Sequence, residues 1–304
     1  MHDLAIIGAG PAGLTAALYA GRFRMDSLVL ERMSAGGQII LSPTIDNYPG
    51  FPAGLSTEEL VERFKNQAEE VGMVIRNAQI SGIKEVSGGF SLAATGEEFN
   101  AKTIIVATGA FPRRLKIPGE DRLTGKGVSY CGTCDGPLFR EKEIAVIGGG
   151  DRAIEDALFL TSYAKKVNLI HRRSELRASR ILVEKAKENP KINFILESIA
   201  EEVVGENRVE GIKLRNIKTG SEMALVCQGV FIFIGIDPNT SFLKNLLDRD
   251  ESGFIITDQD MRTSRPGIFA CGDCRKKSLY QVVTACGEGA VATDSVYKYL
   301  LSKR

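Results

Sequence analysis

Twice in this chain a short apolar run meets a glycine-rich turn and then a helix-like stretch, a pattern that leaves few folds open. The first copy runs from Leu4 to Ile7 through Gly8-Ala9-Gly10-Pro11-Ala12-Gly13 into the alanine-rich stretch Leu14 to Tyr19. The second runs from Ile144 to Ile147 through Gly148-Gly149-Gly150-Asp151-Arg152-Ala153 into Ile154 to Tyr163. Each continues to a second apolar strand, Ser27 to Leu30 and Val167 to Ile170. The residue just beyond it, Glu31 or His171, stands 23 positions after the first glycine in both copies. Strand, glycine turn, helix and strand make a mononucleotide-binding βαβ unit. Its glycines let the backbone approach a pyrophosphate, and the helix start aims unpaired N–H groups and a positive dipole end at it. One such turn says little, because any tight strand-to-helix turn favours glycine; two in this context predict two bound dinucleotides.

The residue closing the second strand separates the two sites. Glu31 is a carboxylate able to accept hydrogen bonds from ribose hydroxyls, which suits an unphosphorylated adenosine ribose such as that of FAD or NAD. His171-Arg172-Arg173, with Arg177 one helical turn on, offers cationic forks that suit a 2′-phosphate. The first site therefore fits FAD and the second NADPH, against the plainer alternative that these arginines form a solvated helix start.

At 304 residues with 43% apolar content, the chain is long enough for two cores. After the first unit, Ala35 to Gly50 reads as a loop, and the Thr103 to Val106 strand ends in Ala107-Thr108-Gly109. Phe111-Pro112-Arg113-Arg114 reads as a linker into the second unit, which closes with the Gly229 to Ile234 strand and the turn Gly235 to Thr240. The tail from about Ser241 is short for a core of its own and is expected to return to the first domain. The expected class is α/β, with two three-layer doubly wound Rossmann-like domains: 1–113 with 241–304, and an inserted 114–240. Basic (39) and acidic (38) residues balance, so no single-sign field points to nucleic acid or an anionic membrane. Neither a cationic leader nor a spanning apolar run is evident, and a cytoplasmic protein is expected.

Six cysteines, at 131, 134, 227, 271, 274 and 286, are too few for a disulfide scaffold, but four form two C-x-x-C spacings. With only His2 and His171, a histidine metal site or a Ser-His-Asp relay is hard to build. Cys131-Gly132-Thr133-Cys134-Asp135-Gly136 falls just before the second glycine turn, where helix-start placement lowers a thiol pKa. Asp135 is the natural general acid or base beside it. The alternatives are a zinc site shared with Cys271 and Cys274, and a pair of inert buried cysteines.

The order of these motifs, with Gly36-Gly37-Gln38, Asp46-Asn47-Tyr48-Pro49-Gly50 and Gly272-Asp273, resembles the low-molecular-weight thioredoxin reductases over essentially the whole chain. Its most specific element is C-x-x-C-D-G immediately before the second glycine turn. The resemblance implies an NADPH-dependent flavoenzyme and homodimer that reduces thioredoxin. It puts Glu31, Gln38, Asn47 and Asp273 on FAD, together with Gly8, Gly10, Pro11, Ala12, Gly37, Ala107, Thr108, Gly109 and Gly272. Gln281 and Val282 would lie near the flavin ring. Gly148, Gly150, Asp151, Arg152 and Ala153 would cradle NADPH, and His171, Arg172, Arg173 and Arg177 would surround its 2′-phosphate. Cys134 would face the flavin, Cys131 would attack the protein substrate, and Asp135 would donate a proton. Similar enzymes rotate their domains between half-reactions.

Three features depart from that pattern. Arg152 stands where the family usually has a small or hydroxyl residue, Tyr280 where an arginine normally precedes the glutamine, and Cys271 and Cys274 flank Gly272-Asp273. The last two, with Cys286, read as buried small hydrophobes, with an auxiliary redox pair as the alternative. Related family members take electrons from ferredoxin or a deazaflavin, and a glutaredoxin-like partner or a non-catalytic redox sensor are further alternatives.

Overall fold

The computed structural model describes every residue except 42, 43, 46, 52–54, 244 and 304. It divides into two compact units, one of Met1–Ile40, Tyr48–Phe111 and Asp237–Arg304, the other of Leu41–Asn47 and Pro112–Ile236.

In the first unit a parallel sheet runs in the order Val74–Asn77, Ser27–Glu31, His2–Ile7, Glu97–Val106, Ile268–Ala270. The first half of Glu97–Val106 also pairs antiparallel with Gly89–Ala94, which pairs with Ile80–Val86. Helix α1, Pro11–Arg22, follows the first strand, and α2, Thr57–Glu70, begins where the Ser56 hydroxyl accepts the Glu59 N–H at 3.1 Å. The helix-side core gathers Leu4, Ile6, Leu14 and Ile105; the opposite core gathers Leu30, Leu92, Ile104, Leu243 and Ile255.

The second unit repeats the plan. Its parallel sheet runs Val128–Ser129, Gly229–Phe233, Glu143–Gly148, Lys166–Ile170, Ile192–Ile195, and its inner strands are almost continuously apolar because both faces are covered. Near its start, α3, Glu120–Leu123, buries a carboxylate that accepts the N–H groups of Leu115 and Lys116 and the Tyr130 hydroxyl. Helices α4, Gly132–Asp135, α5, Asp151–Leu160, and α6, Arg180–Glu188, follow in sequence. Phe139, Phe231, Ile154 and Leu160 fill the helix-side core; Val203, Ile212 and Leu214, from an antiparallel meander of Ser198–Val204, Gly211–Asn216 and Glu222–Val226, fill the other.

The α/β class and Rossmann-like parallel sheets are as the sequence predicts, with the third layer made in each unit by an antiparallel meander. Several edges move. The Ala35 to Gly50 stretch contains a 3-10 turn at Gly37–Leu41 and a short strand at Thr44–Ile45, and α5 stops at Leu160 rather than Tyr163.

The last helix, α7, Val282–Ser302, lies against α1 and ties the end of the chain to its beginning. Thr293 Oγ1 donates to Ala16 O at 3.2 Å, and a Cβ on Gly289 would stand 2.3 Å from Ala12 O. A backbone carbonyl cannot move aside as a flexible side chain can. Gly289→Val is therefore expected to destabilise the first unit by about 2–3 kcal/mol, read as a lower urea midpoint with an unchanged m value.

Candidate functional site

In the first unit the glycine turn is held by contacts only small residues permit. Gly8 has a positive φ and a Cβ there would lie 2.4 Å from Ala107 O, while a Cβ on Gly13 would lie 1.9 Å from Gly8 O. The helix thus starts directly against the strand. Gly10 caps α1 without a side-chain oxygen and Pro11 follows, so the first N–H groups of α1 face outward with no side-chain acceptor. Gly36 N donates to Ala9 O at 2.8 Å, bringing Gly37 over Gly10. Glu31 accepts the N–H groups of Ala9 at 2.7 Å and Met33 at 3.0 Å, so its carboxylate is fixed at the turn. The Gln38 Oε1 is buried with no hydrogen-bond partner among the described residues. Uncapped N–H groups, a fixed carboxylate and an unsatisfied buried amide oxygen fit a dinucleotide such as FAD.

The other residues expected here fall into place unevenly. Ala107 N donates to Ile7 O, and Thr108 Oγ1 donates to Asn239 O at 2.8 Å. Gly109 accepts from Asn239 N and has a positive φ. Gly272 reaches the start of α1, where a Cβ on it would meet the Ala12 Cβ at 2.8 Å. Gln281 caps α7 in a reciprocal box with Thr284, and Val282 is the first residue of that helix. Asn47 is exposed and engaged in a contact, and it belongs to the segment grouped with the second unit. Asp46, its neighbour in the motif, lies outside the described residues.

Three residues here carry no motif and escape a sequence reading. Glu288, on α7, accepts Gly272 N at 2.7 Å, pairs with Arg275 at 2.9 Å and approaches Lys277 at 3.5 Å. Lys277, only 6% exposed, also pairs with Asp273 at 2.9 Å. Its ammonium lies 5.4 Å from the centre of the Tyr280 ring, which packs on Phe254. Tyr280 therefore replaces a charge in the sequence but keeps one beneath its ring. The i,i+4 spacing of Asp273 and Lys277 was the available signal.

In the second unit Gly148 ends the strand and Gly150 caps α5, again without a side-chain cap, and a Cβ on Gly150 would meet nothing within 4 Å. Ala153 is buried beneath Gly148. A Cβ on Gly149 would strike the buried His171 ring at 2.3 Å. Burial lowers the His171 pKa, and the Arg177, Arg172 and Arg173 charges lower it further, while a backbone bond at Glu175 opposes them. The arginines are exposed beside a pocket of about 540 Å³ that Glu197 and Lys218 also line. Their loop is pinned by backbone bonds from Arg177 and Ala178 to Gly149 O and by Asp151, which accepts Ser179 N at 2.7 Å. Arg152 turns along its own helix to Asp156 at 3.7 Å and over the Phe233 ring. An open helix start joined to a basic pocket fits a phosphorylated nicotinamide dinucleotide.

Cys131 and Cys134 are joined by a disulfide in this same unit. Cys131 caps α4, its Sγ accepts the Cys134 N–H at 3.2 Å, and its own N–H donates to Ser129 Oγ at 3.1 Å. A helix-start N–H aimed at sulfur favours thiolate once the bond opens. Asp135 ends α4, buried and engaged by a neighbour. The other C-x-x-C is in the first unit, with Cys274 Sγ donating to the Val106 and Cys271 carbonyls, and no cluster of metal-ligating side chains occurs among the described residues.

The sequence profile of the pyridine nucleotide-disulphide oxidoreductases matches residues 2–289. The chain belongs to this family. A thioredoxin reductase of Peptoclostridium litorale is 44% identical over 99% of this chain and 97% of its own. A bifunctional thioredoxin reductase/thioredoxin of Mycobacterium leprae is 41% identical over 99% of this chain and 66% of its own. The crystal structure of thioredoxin reductase from Streptococcus pyogenes superposes with a TM-score of 0.94 at 43% identity, covering 99% of each chain.

Burial raises every remaining thiol in this member of the family: Cys227 to about 12, Cys274 to about 11, and Cys271 and Cys286 also upward. After reduction, iodoacetamide at pH 7.5 is expected to modify Cys131 and Cys134 within minutes and the other four only after denaturation, as counted by intact mass.

Proposed function

We propose that the chain is an FAD-dependent thioredoxin reductase that draws electrons from NADPH and delivers them through Cys131 and Cys134 to the disulfide of thioredoxin. The observation that carries this is the Cys131–Cys134 disulfide beside the second glycine turn, in a chain whose full-length relatives bear that name. The bifunctional relative, whose name joins the reductase to thioredoxin, supports the choice of partner.

In this reading residues 1–113 and 241–304 hold FAD and 114–240 hold NADPH. The flavin, when bound, supplies two-electron transfer between the nicotinamide and the disulfide. Glu31 holds the adenosine ribose, Gln38 offers its open oxygen, and the start of α1 with Gly272 and Asp273 receives the pyrophosphate. The start of α5 receives the other pyrophosphate, and Arg172, Arg173 and Arg177 select the 2′-phosphate. Cys134 accepts electrons, Cys131 attacks the partner, and Asp135 supplies the proton to sulfur. No helix among the described residues is long and apolar enough to cross a membrane. A cytoplasmic homodimer is the state the family resemblance supports.

Anaerobic stopped-flow absorbance of the flavin tests the donor. NADPH is expected to bleach it rapidly. Replacing Arg172 and Arg173 with alanine is expected to weaken NADPH by about 10²-fold, roughly 3 kcal/mol, while leaving NADH within about threefold. Bleaching by ferredoxin or a deazaflavin but by neither nucleotide would replace the donor. Cys134→Ser should keep the bleaching and lose thioredoxin reduction.

A further inference from the structure

Helix α5 turns a carboxyl toward the dithiol. Asp156 stands one turn beyond Arg152 with its side chain 15% exposed, and a Cβ on Gly132 would come within 2.6 Å of its Oδ1. Gly132 is the first of the two residues between the cysteines, so this carboxyl packs on the C-x-x-C turn itself. The neighbouring titratable groups are Cys131, the cap of α4, and Cys134 and Asp135 on that helix. On α5, Arg152 attracts the carboxylate and Glu155 repels it, while α6 and the three strands packed on α5 add no charge that acts on it. Burial outweighs the arginine and pushes the carboxyl up to about 6.

The disulfide sets no thiol charge against Asp156. Breaking the S–S bond with two electrons and one proton leaves one thiol and one thiolate, so a negative charge arises within the turn that Asp156 touches. Two like charges in a half-buried site disfavour each other, and one of them gains from taking a proton.

We propose that Asp156 is a positioning residue of the redox centre, whose carboxyl takes up the second proton of disulfide reduction and thereby stabilises the new thiolate. The balance is one disulfide, one carboxylate, two electrons and two protons giving one thiol, one thiolate and one carboxylic acid. The electrons come from NADPH by the route proposed above, and the inference rests on Cys131 and Cys134 being the redox pair. Asp135 is a separate group that gives its proton to sulfur, whereas Asp156 acts from a different helix through charge.

The test is the pH dependence of iodoacetamide alkylation of the pair in anaerobic, reduced holoenzyme, followed by mass spectrometry between pH 5 and 9. The wild-type rate is expected to show two inflections, one of them from Asp156 and lying above the value of about 6 that burial gives its carboxyl beside the disulfide. In Asp156→Asn that inflection is lost and the rate on its alkaline side rises by about three- to tenfold, because the carboxylate that opposes the thiolate there is gone. Asp156→Ser removes the same charge and serves if the asparagine variant does not fold. A single inflection in wild type, or matching wild-type and variant profiles, overturns the proposal. A pair that NADPH does not reduce, or that does not react after chemical reduction, instead overturns the dithiol reading on which it rests.

Discussion

Everything at the two nucleotide sites depends on how closely a helix can start against the strand before it. In the first unit Gly13 brings α1 onto the carbonyl of Gly8, and no side chain fits between them. The first N–H groups of the helix consequently lie at the strand's end, where an anion's charge meets them at short range. The same constraint fixes what else can approach. Gly37 closes over Gly10, Gly272 arrives beside Ala12, and Glu31 reaches back to Ala9, so three distant stretches converge because the turn leaves room for nothing larger.

The closing stretch of the first unit adds charge to this geometry. Glu288 joins the Gly272 N–H to Arg275 and Lys277, which are largely removed from water with it, and Lys277 joins the more exposed Asp273. Such a group is tolerable only when each member is partnered; its worth lies in holding one conformation rather than in net stability. It is also the reason that an uncharged Tyr280 does not leave this side of the site without a cation.

Both glycine turns, Glu31 at the end of the second strand and the basic pocket were legible because each is a local pattern in which residue type and spacing reflect one backbone event. The alternation and length of apolar runs located the strands to within a few residues. What was not legible depends on contacts between segments far apart in sequence. Glu288 looks like any helical glutamate until α7 is laid on α1, and Asp156 looks like a solvated helix residue until α4 folds over it. The meanders were obscure for another reason: their outer faces are partly exposed, so the apolar signal there is diluted. Arg152, which the resemblance places around NADPH, pairs with Asp156 one turn along its own helix, a contact that the i,i+4 spacing allows but that no motif announces.

The loop bearing the arginines is fastened by its main chain. Arg177 and Ala178 reach Gly149 through their amides, and Asp151 takes the amide of Ser179, so none of these ties involves a guanidinium. The scaffold of the pocket and its taste for charge are thus inherited separately. A descendant lineage can trade its arginines for neutral or acidic residues, and with them the charge of the pocket, without having to rebuild the turn that displays them.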